Sequence, residues 1–287
     1  MIGLFKRLVY EFQKMARFAY VYFGIPKRLK GVDEDGGGTI VSLTTYGSRL
    51  RTSYLAVKSI MLQSSMPDLV VLYLDKSIDC DNVPWRLKRL ERYGLLIKFG
   101  YDDLKPHKKY YFAMQEYPQA DLITIDDDCI YPSDTISSLV NAHAVNPNAI
   151  IARRCKKIAF SSNGELLPYQ NWQDSHSWES SKLGASLLAT GCGGVLYPHT
   201  FVASANFDIN QIKNTALMAD DLYLKIVEIM SGYKTCYVFN SLNHPYQIHR
   251  TESVALCHEN VDNGRNDQIL KELLIINNAH PSVFIDR

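Results

Sequence analysis

Hydrophobic and polar positions alternate along this chain in blocks that read as strand, helix, strand, helix. TIVSLTTY (residues 39–46) is a β-branched run, and RTSYLAVKSIMLQSS (51–65) carries apolar residues at helical spacing. LVVLYLD (69–75) predicts a second strand, residues 85–93 a short helix and LLIKFG (95–100) a third strand. Residues 109–115 predict a helix before LITIDDD, the fourth strand. Near-continuous apolar strands separated by helices are the pattern of a parallel sheet buried on both faces, an α/β fold.

The first thirty residues follow another rule. At helical period Ile2, Phe5, Val9, Phe12, Ala16, Ala19 and Phe23 share one stripe, while Lys6, Lys14 and Arg17 fall mainly elsewhere. No uninterrupted apolar run is long enough to span a bilayer, and no signal-peptide pattern is present. An amphipathic helix with basic flanks suits a membrane interface; packing on the body or on a second subunit is the alternative. Pro26 closes the helix, and GVDEDGGG (31–38) reads as a flexible linker, so the folded domain is expected from Thr39.

Composition narrows the classes. With 287 residues, 46% of them hydrophobic, the chain can bury a large core. The net charge of +1 is uneven: residues 1–31 hold seven Lys or Arg against Glu11, so the remainder carries −5. Such a body offers no electrostatic footprint for nucleic acid. The six cysteines show neither CxxC nor metal spacing, which makes free thiols in a reducing compartment the default.

The candidate chemistry lies where the fourth strand ends. Ligands of open parallel sheets bind beyond the carboxyl ends of the strands. There the first strand ends in Thr44-Thr45-Tyr46, the second in Asp75 and the fourth in Asp126, Asp127 and Asp128. Three adjacent carboxylates repel one another unless a cation or basic groups compensate them. Mg²⁺ or Mn²⁺, held by one or two carboxylates and the phosphates of a substrate, is the economical answer; an acidic turn is the bland one.

VSLTTYGSR (41–49), LKPHKKYYFAMQEYPQADLITIDDDCIYP (104–132), GCGGVLYP (191–198), ADDLYLK (219–225) and NGRNDQILKEL (263–273), in this order, resemble the GT-A glycosyltransferases. The likeness is strongest to family-2-like bacterial enzymes that build surface polysaccharides, with a DxD motif, and covers roughly residues 39–270. It implies a Rossmann-like GT-A domain over 39–287, with a nucleotide-binding half (39–135) and an acceptor-binding half (136–287), after a helix (1–31) and a linker (32–38). By the same resemblance Thr44 and Tyr46 contact the base and ribose of a nucleotide sugar. Asp75 accepts from a base ring N–H, which favours a UDP-sugar. Asp126 meets the ribose or a metal-bound water, Asp128 ligates the cation bridging the diphosphate, and Asp127 stands between them. Lys108 or Lys109 meets phosphate, with a solvated face as the alternative.

ADDLYLK resembles the acidic motif that carries the general base, which implies Asp221 as base, Asp220 in support, and inversion at the anomeric carbon; helix capping is the alternative. Gly193, in LATGCGGVLYP (188–198), belongs to a glycine-rich segment that lines the cleft in the family, or simply to a tight turn. PYQNWQDSHSW (168–178) offers aromatics for sugar stacking or for pinning a loop. Of His244, His249 and His258, His249 is best placed by chain order to be a late metal ligand. The expected partners are a nucleotide-sugar donor, a glycan or lipid-linked acceptor and the inner face of the cell membrane. A sugar nucleotidyltransferase lacks support in TTYGSRLRTS, which misses the glycine-rich loop such enzymes carry. A non-catalytic membrane-associated scaffold of this fold would have no need of both Asp126 to Asp128 and Asp220 to Asp221.

Overall fold

The structure is a computed structural model and describes residues 2–178, 180–239, 244–248 and 264–286. Strands β1 (Gly38–Thr44), β2 (Leu69–Asp75), β3 (Leu95–Tyr101) and β4 (Ala120–Thr124) run parallel in the order β3-β2-β1-β4, with Ile40 in register with both Leu69 and Leu122. Alternate residues feed two cores. Ile40, Val71 and Tyr73 enter one, Val41, Leu43, Val70 and Leu72 the other, so each strand must be apolar on both faces.

Helices cover both faces. After α1 (Ile2–Phe23) come α2 (Ser53–Ile60), α3 (Trp85–Lys88), α4 (Lys108–Glu116) and α5 (Thr135–Val145). Further on are α6 (His199–Ser204), α7 (Ile209–Gln211), α8 (Asp220–Met230) and α9 (Arg265–Ile276). The helical pattern of 51–65 is realised only as α2, because a 3₁₀ turn at Gly47–Arg51 precedes it and Gln63 is spent on the carbonyls of Ser59 and Pro132. Likewise the 85–93 segment divides into α3 and a 3₁₀ turn, Arg89–Tyr93.

The second half extends the sheet in a way that strand periodicity does not announce. β5 (Cys129–Ile130) follows the acidic triplet, then β6 (Ala149–Ala152), β7 (Cys155–Lys157), β8 (Gln173–Asp174), β9 (Lys182–Gly184), β10 (Leu187–Ala189), β11 (Val195–Tyr197), β12 (Lys234–Tyr237) and β13 (Tyr246–Gln247). The large sheet is β3-β2-β1-β4-β11-β6-β12-β9, with β11 antiparallel to both β4 and β6. Two antiparallel steps restore direction, so β6 runs parallel to β4 and its carboxyl end reaches the same edge. β10-β7-β8 form a small sheet, and β13 pairs with β5 immediately beyond the triplet, where the Ile248 N–H donates to the Asp128 carbonyl at 2.7 Å. The described cysteines are free.

The N-terminal helix is present, and it packs by an unexpected face. Lys14, Arg17, Phe18 and Val21 turn to the body; Val21 is 2% exposed and the Arg17 guanidinium lies 4.8 Å from the Tyr246 ring centre. From Val9 onward the predicted apolar stripe faces away: Phe12 is 69% and Phe23 78% exposed, and Met15 beside it 62%. No helix among the described residues is long and apolar enough to cross a membrane. Backbone bonds from Lys27 to Met61, Leu29 to Tyr93 and Gly31 to Asp68 fasten the chain that follows, and the glycine-rich segment turns back on itself through Gly36 N–H to the Asp33 carbonyl.

Candidate functional site

At the carboxyl edge of the sheet lies a cavity of about 660 Å³. The β1 end contributes Thr44 and Tyr46, the β4 end Asp126, Asp127 and Asp128, the segment before β11 Thr190 and Cys192, and the start of α8 Asp220 and Asp221. Topology, not proximity in sequence, brings these groups together.

Charge compensation of the triplet is made by the protein itself. Arg49, in the turn after β1, places Nη1 3.2 Å from Asp127 Oδ1 and Nη2 3.2 Å from Asp128 Oδ2. Thr45 donates to Asp127 Oδ2 at 2.5 Å. Burial still pushes the Asp127 carboxyl up to about 6, against the pull of Arg49. Lys109 Nζ stands 2.7 Å from Asp126 Oδ1 and 2.9 Å from Asp220 Oδ2, joining the first half of the chain to the second. Those carboxylates outweigh the burial that would otherwise lower it, and hold its ammonium well above the usual lysine range.

Asp221 accepts the Gly191 N–H at 3.1 Å. Burial, and then the charge of Asp220, raise its carboxyl well above the usual range, whereas Asp220, also buried, is drawn below it by Lys109. One acid is thus kept ionised and its neighbour made a stronger base, the separation that acid–base chemistry uses. Gly191 lets the groups meet: a Cβ there would come 2.7 Å from Lys109 Nζ and 3.2 Å from Asp126 Oδ1.

The predicted residues are not all gathered. Asp75 is set back from the lining, bonded to Lys108 at 2.6 Å and to Ser77; burial opposes but these bonds hold its carboxyl below the usual range. Lys108 also meets Asp103 at 2.7 Å. Both Lys108 and Lys109 are buried, which excludes the solvated face. Gly193 is fixed by packing, since a Cβ there would meet the Arg154 backbone nitrogen at 2.8 Å. Trp172 and Trp178 are in the core, and of that loop Tyr169 lines the cavity. His244 lines it too, while His249 and His258 lie outside the described residues. Arg49 and Arg154 are not among the residues that the sequence singles out, whereas Tyr169 and Gly191 lie in the aromatic and glycine-rich segments that it does. Of these two, Arg49, a lone guanidinium five residues past the end of β1, leaves a trace in sequence.

Among the described residues no three His, Cys, Asp or Glu side chains are grouped to hold a metal unaided. Asp126 and Asp128 nevertheless share the cavity, and after burial the Asp126 charge is the main influence raising the Asp128 carboxyl. Although each is also ion-paired within the protein, their carboxylate oxygens are of the kind that fits a hard cation completed by phosphate oxygens and water.

No protein-family model matches the chain, and no curated protein matches it in sequence. Among solved structures it is similar to S. aureus TarS in complex with UDP, with a TM-score of 0.51 and 14% identity over 85% of this chain and 72% of that one. It also resembles a mannosyltransferase, PcManGT from Pyrobaculum calidifontis, in complex with GDP-Man and Mn²⁺ (TM-score 0.48, 13% identity, 80% of this chain and 62% of that one). A UTP-bound UGPase from Acinetobacter baumannii gives a TM-score of 0.44 at 12% identity, over 85% of this chain and 95% of that one. The chain thus spans less than two thirds of the mannosyltransferase. At such identities the likeness is one of fold, a Rossmann-like GT-A architecture.

Proposed function

We propose that the protein transfers a sugar from a nucleotide sugar, a UDP-sugar by preference, to a hydroxyl of a glycan or lipid-linked acceptor in surface polysaccharide synthesis, with inversion. The observation that carries this reading is Lys109 bridging Asp126 and Asp220 inside one cavity, which sets the diphosphate-side acids opposite the Asp220/Asp221 pair. Tyr46 and Thr44 would take the nucleoside. Asp126 and Asp128 would hold Mg²⁺ or Mn²⁺, which when bound supplies Lewis-acid stabilisation of the leaving diphosphate. Asp221 would accept the proton of the acceptor hydroxyl while Asp220, tied to Lys109, stays ionised beside it. Arg49 holds Asp127 and Asp128 in place, and Asp75 orients Lys108 toward the cavity instead of meeting the base directly.

Thermal shift with UDP- and GDP-sugars, with and without Mn²⁺, followed by a search for slow donor hydrolysis, tests the reading. A donor at one hundred times its Kd should stabilise by about 2.7 kcal/mol. A panel in which no nucleotide shifts the melt or is hydrolysed sinks it. Proton NMR of the product reads the anomeric configuration, and retention would refute Asp221 as an in-line base.

Gly191→Ala should keep the fold and lose about 10²-fold in turnover, the cost of misplacing reacting groups by roughly 1 Å. Unchanged kinetics would show that the Lys109–Asp126 contact is dispensable.

The outward apolar stripe of α1, flanked by basic residues, supports a place on the anionic cytoplasmic face of the membrane. Removing residues 1–31 would also strip the buried Val21 and Leu29, so the cleaner variant is Phe12→Glu/Met15→Glu. It should melt like the parent and no longer sediment with phosphatidylglycerol vesicles. Parent protein that ignores those vesicles would end the membrane assignment.

A further inference from the structure

The two walls of the cavity differ in charge balance. On the β1/β4 side each lining cation has acids at hand: Arg49 has Asp127 and Asp128, Lys105 has Asp103, Lys108 has Asp75 and Asp103, and Lys109 has Asp126 and Asp220. Another part of the lining comes from the end of β6 and from β7, which bring Arg154 and Lys156. Arg154 gives Nη2 to Asp174 at 2.9 Å and Nη1 to the Cys192 sulfur at 2.7 Å, and its buried Nε meets no acceptor among the described residues. Lys156 forms no ion pair among the described residues; its ammonium stands 5.1 Å from the centre of the Tyr169 ring.

That wall is rigid. The Tyr169 N–H donates to Asp267 Oδ1 at 2.7 Å, and its ring lies 4.9 Å from that of Trp172, which is itself bonded to the Leu167 carbonyl. An aromatic face attracts an ammonium without neutralising it. Lys156 lines the cavity with Asp221 and makes no ion pair of its own among the described residues; Asp174, its partner across the β7–β8 pairing, is engaged by Arg154.

We propose that Arg154 and Lys156 form an acceptor subsite for an oxyanion, so that the acceptor is an acidic glycan bearing a carboxylate or phosphate near its reactive hydroxyl. The proposal rests on the glycosyl-transfer reading above. On that reading the donor diphosphate is met by the cation that Asp126 and Asp128 would hold, whereas Arg154 and Lys156 belong to the half of the chain that carries Asp221. Charge-assisted hydrogen bonds from a guanidinium and an ammonium select such a group over a neutral hydroxyl.

The test uses the full chain and three probes: methyl glucoside, methyl glucuronide and methyl glucoside 6-phosphate. Their binding is followed by ligand-observed NMR with and without UDP and Mn²⁺. At least one anionic probe should bind about ten-fold or more tightly than the neutral one. A preference for the uronate assigns a carboxylate, and one for the phosphate assigns a phosphoryl group. Lys156→Gln should erase the preference, Lys156→Arg should keep it, and neither should alter UDP affinity. Equal binding of all three probes, or a preference that survives Lys156→Gln, overturns the subsite. A parallel loss of UDP affinity in Lys156→Gln also overturns it, since the cation would then serve the donor. Charge preference in a protein that binds no nucleotide would sustain the anion site and refute sugar transfer, which separates the two failures.

Discussion

Asp221→Asn should turn over donor and acceptor about 10²–10⁴-fold more slowly than the parent, the usual contribution of a general base, and bind UDP within a factor of about two. The amide retains an oxygen for the Gly191 N–H, so geometry is preserved while basicity is lost. Retention of more than a tenth of the turnover would remove Asp221 from the base role. The pH dependence follows from the raised carboxyl. A base acts ionised, so parent activity should fall as pH drops through that pKa, on a limb above the ordinary aspartate value near 3.9. Stability runs the other way. A carboxyl raised on folding favours the protonated native state, so its contribution is full below the unfolded pKa and is lost as pH rises through the folded one. Asp221→Asn removes that penalty and should melt at or above the parent at pH 8, with the two converging at pH 4. A variant that melts clearly lower at pH 8 would show that the acid is structural.

Lys109→Met should be the most damaging single change to the fold. It leaves the buried Asp220 and the half-buried Asp126 and Asp221 side by side without the cation they share. Removing one partner of a buried ion pair costs roughly 3–5 kcal/mol, which for a chain of this size lowers the melting temperature by on the order of 10 °C. The deficit should shrink between pH 8 and pH 5.5 as the stranded carboxylates take up protons. Scanning fluorimetry at the two pH values reads both effects. An unchanged melt would mean that the bridge contributes nothing to stability.

Much of the first half was legible because its strands are long, apolar and buried on both faces, so that β1, β2 and β4 and the acids at their ends could be placed by pattern alone. The second half resisted for a physical reason. β11 is three residues long and lies between β4 and β6 by pairing partners far away in sequence, which no local period encodes. The same holds for charge: a cation for the triplet was foreseeable, but that Arg49 and Lys109 would supply compensation depends on contacts across 78 and 17 positions. Helix α1 is present as its pattern predicts, and what the pattern leaves open is the face that packs. Its apolar stripe was read correctly, yet the body takes the neighbouring face, where Arg17 and Val21 find Tyr246 and α2.

The placement of those cations has a consequence for how the chain is made. Thr45, Arg49 and Lys109 all precede Asp126, Asp127 and Asp128, and Asp220 comes last. Synthesis delivers residues from the N-terminus, and early segments can organise first. The groups that neutralise the triplet have therefore already left the ribosome when the acids emerge, and the growing chain need never carry three bare carboxylates while waiting for a partner yet to be translated.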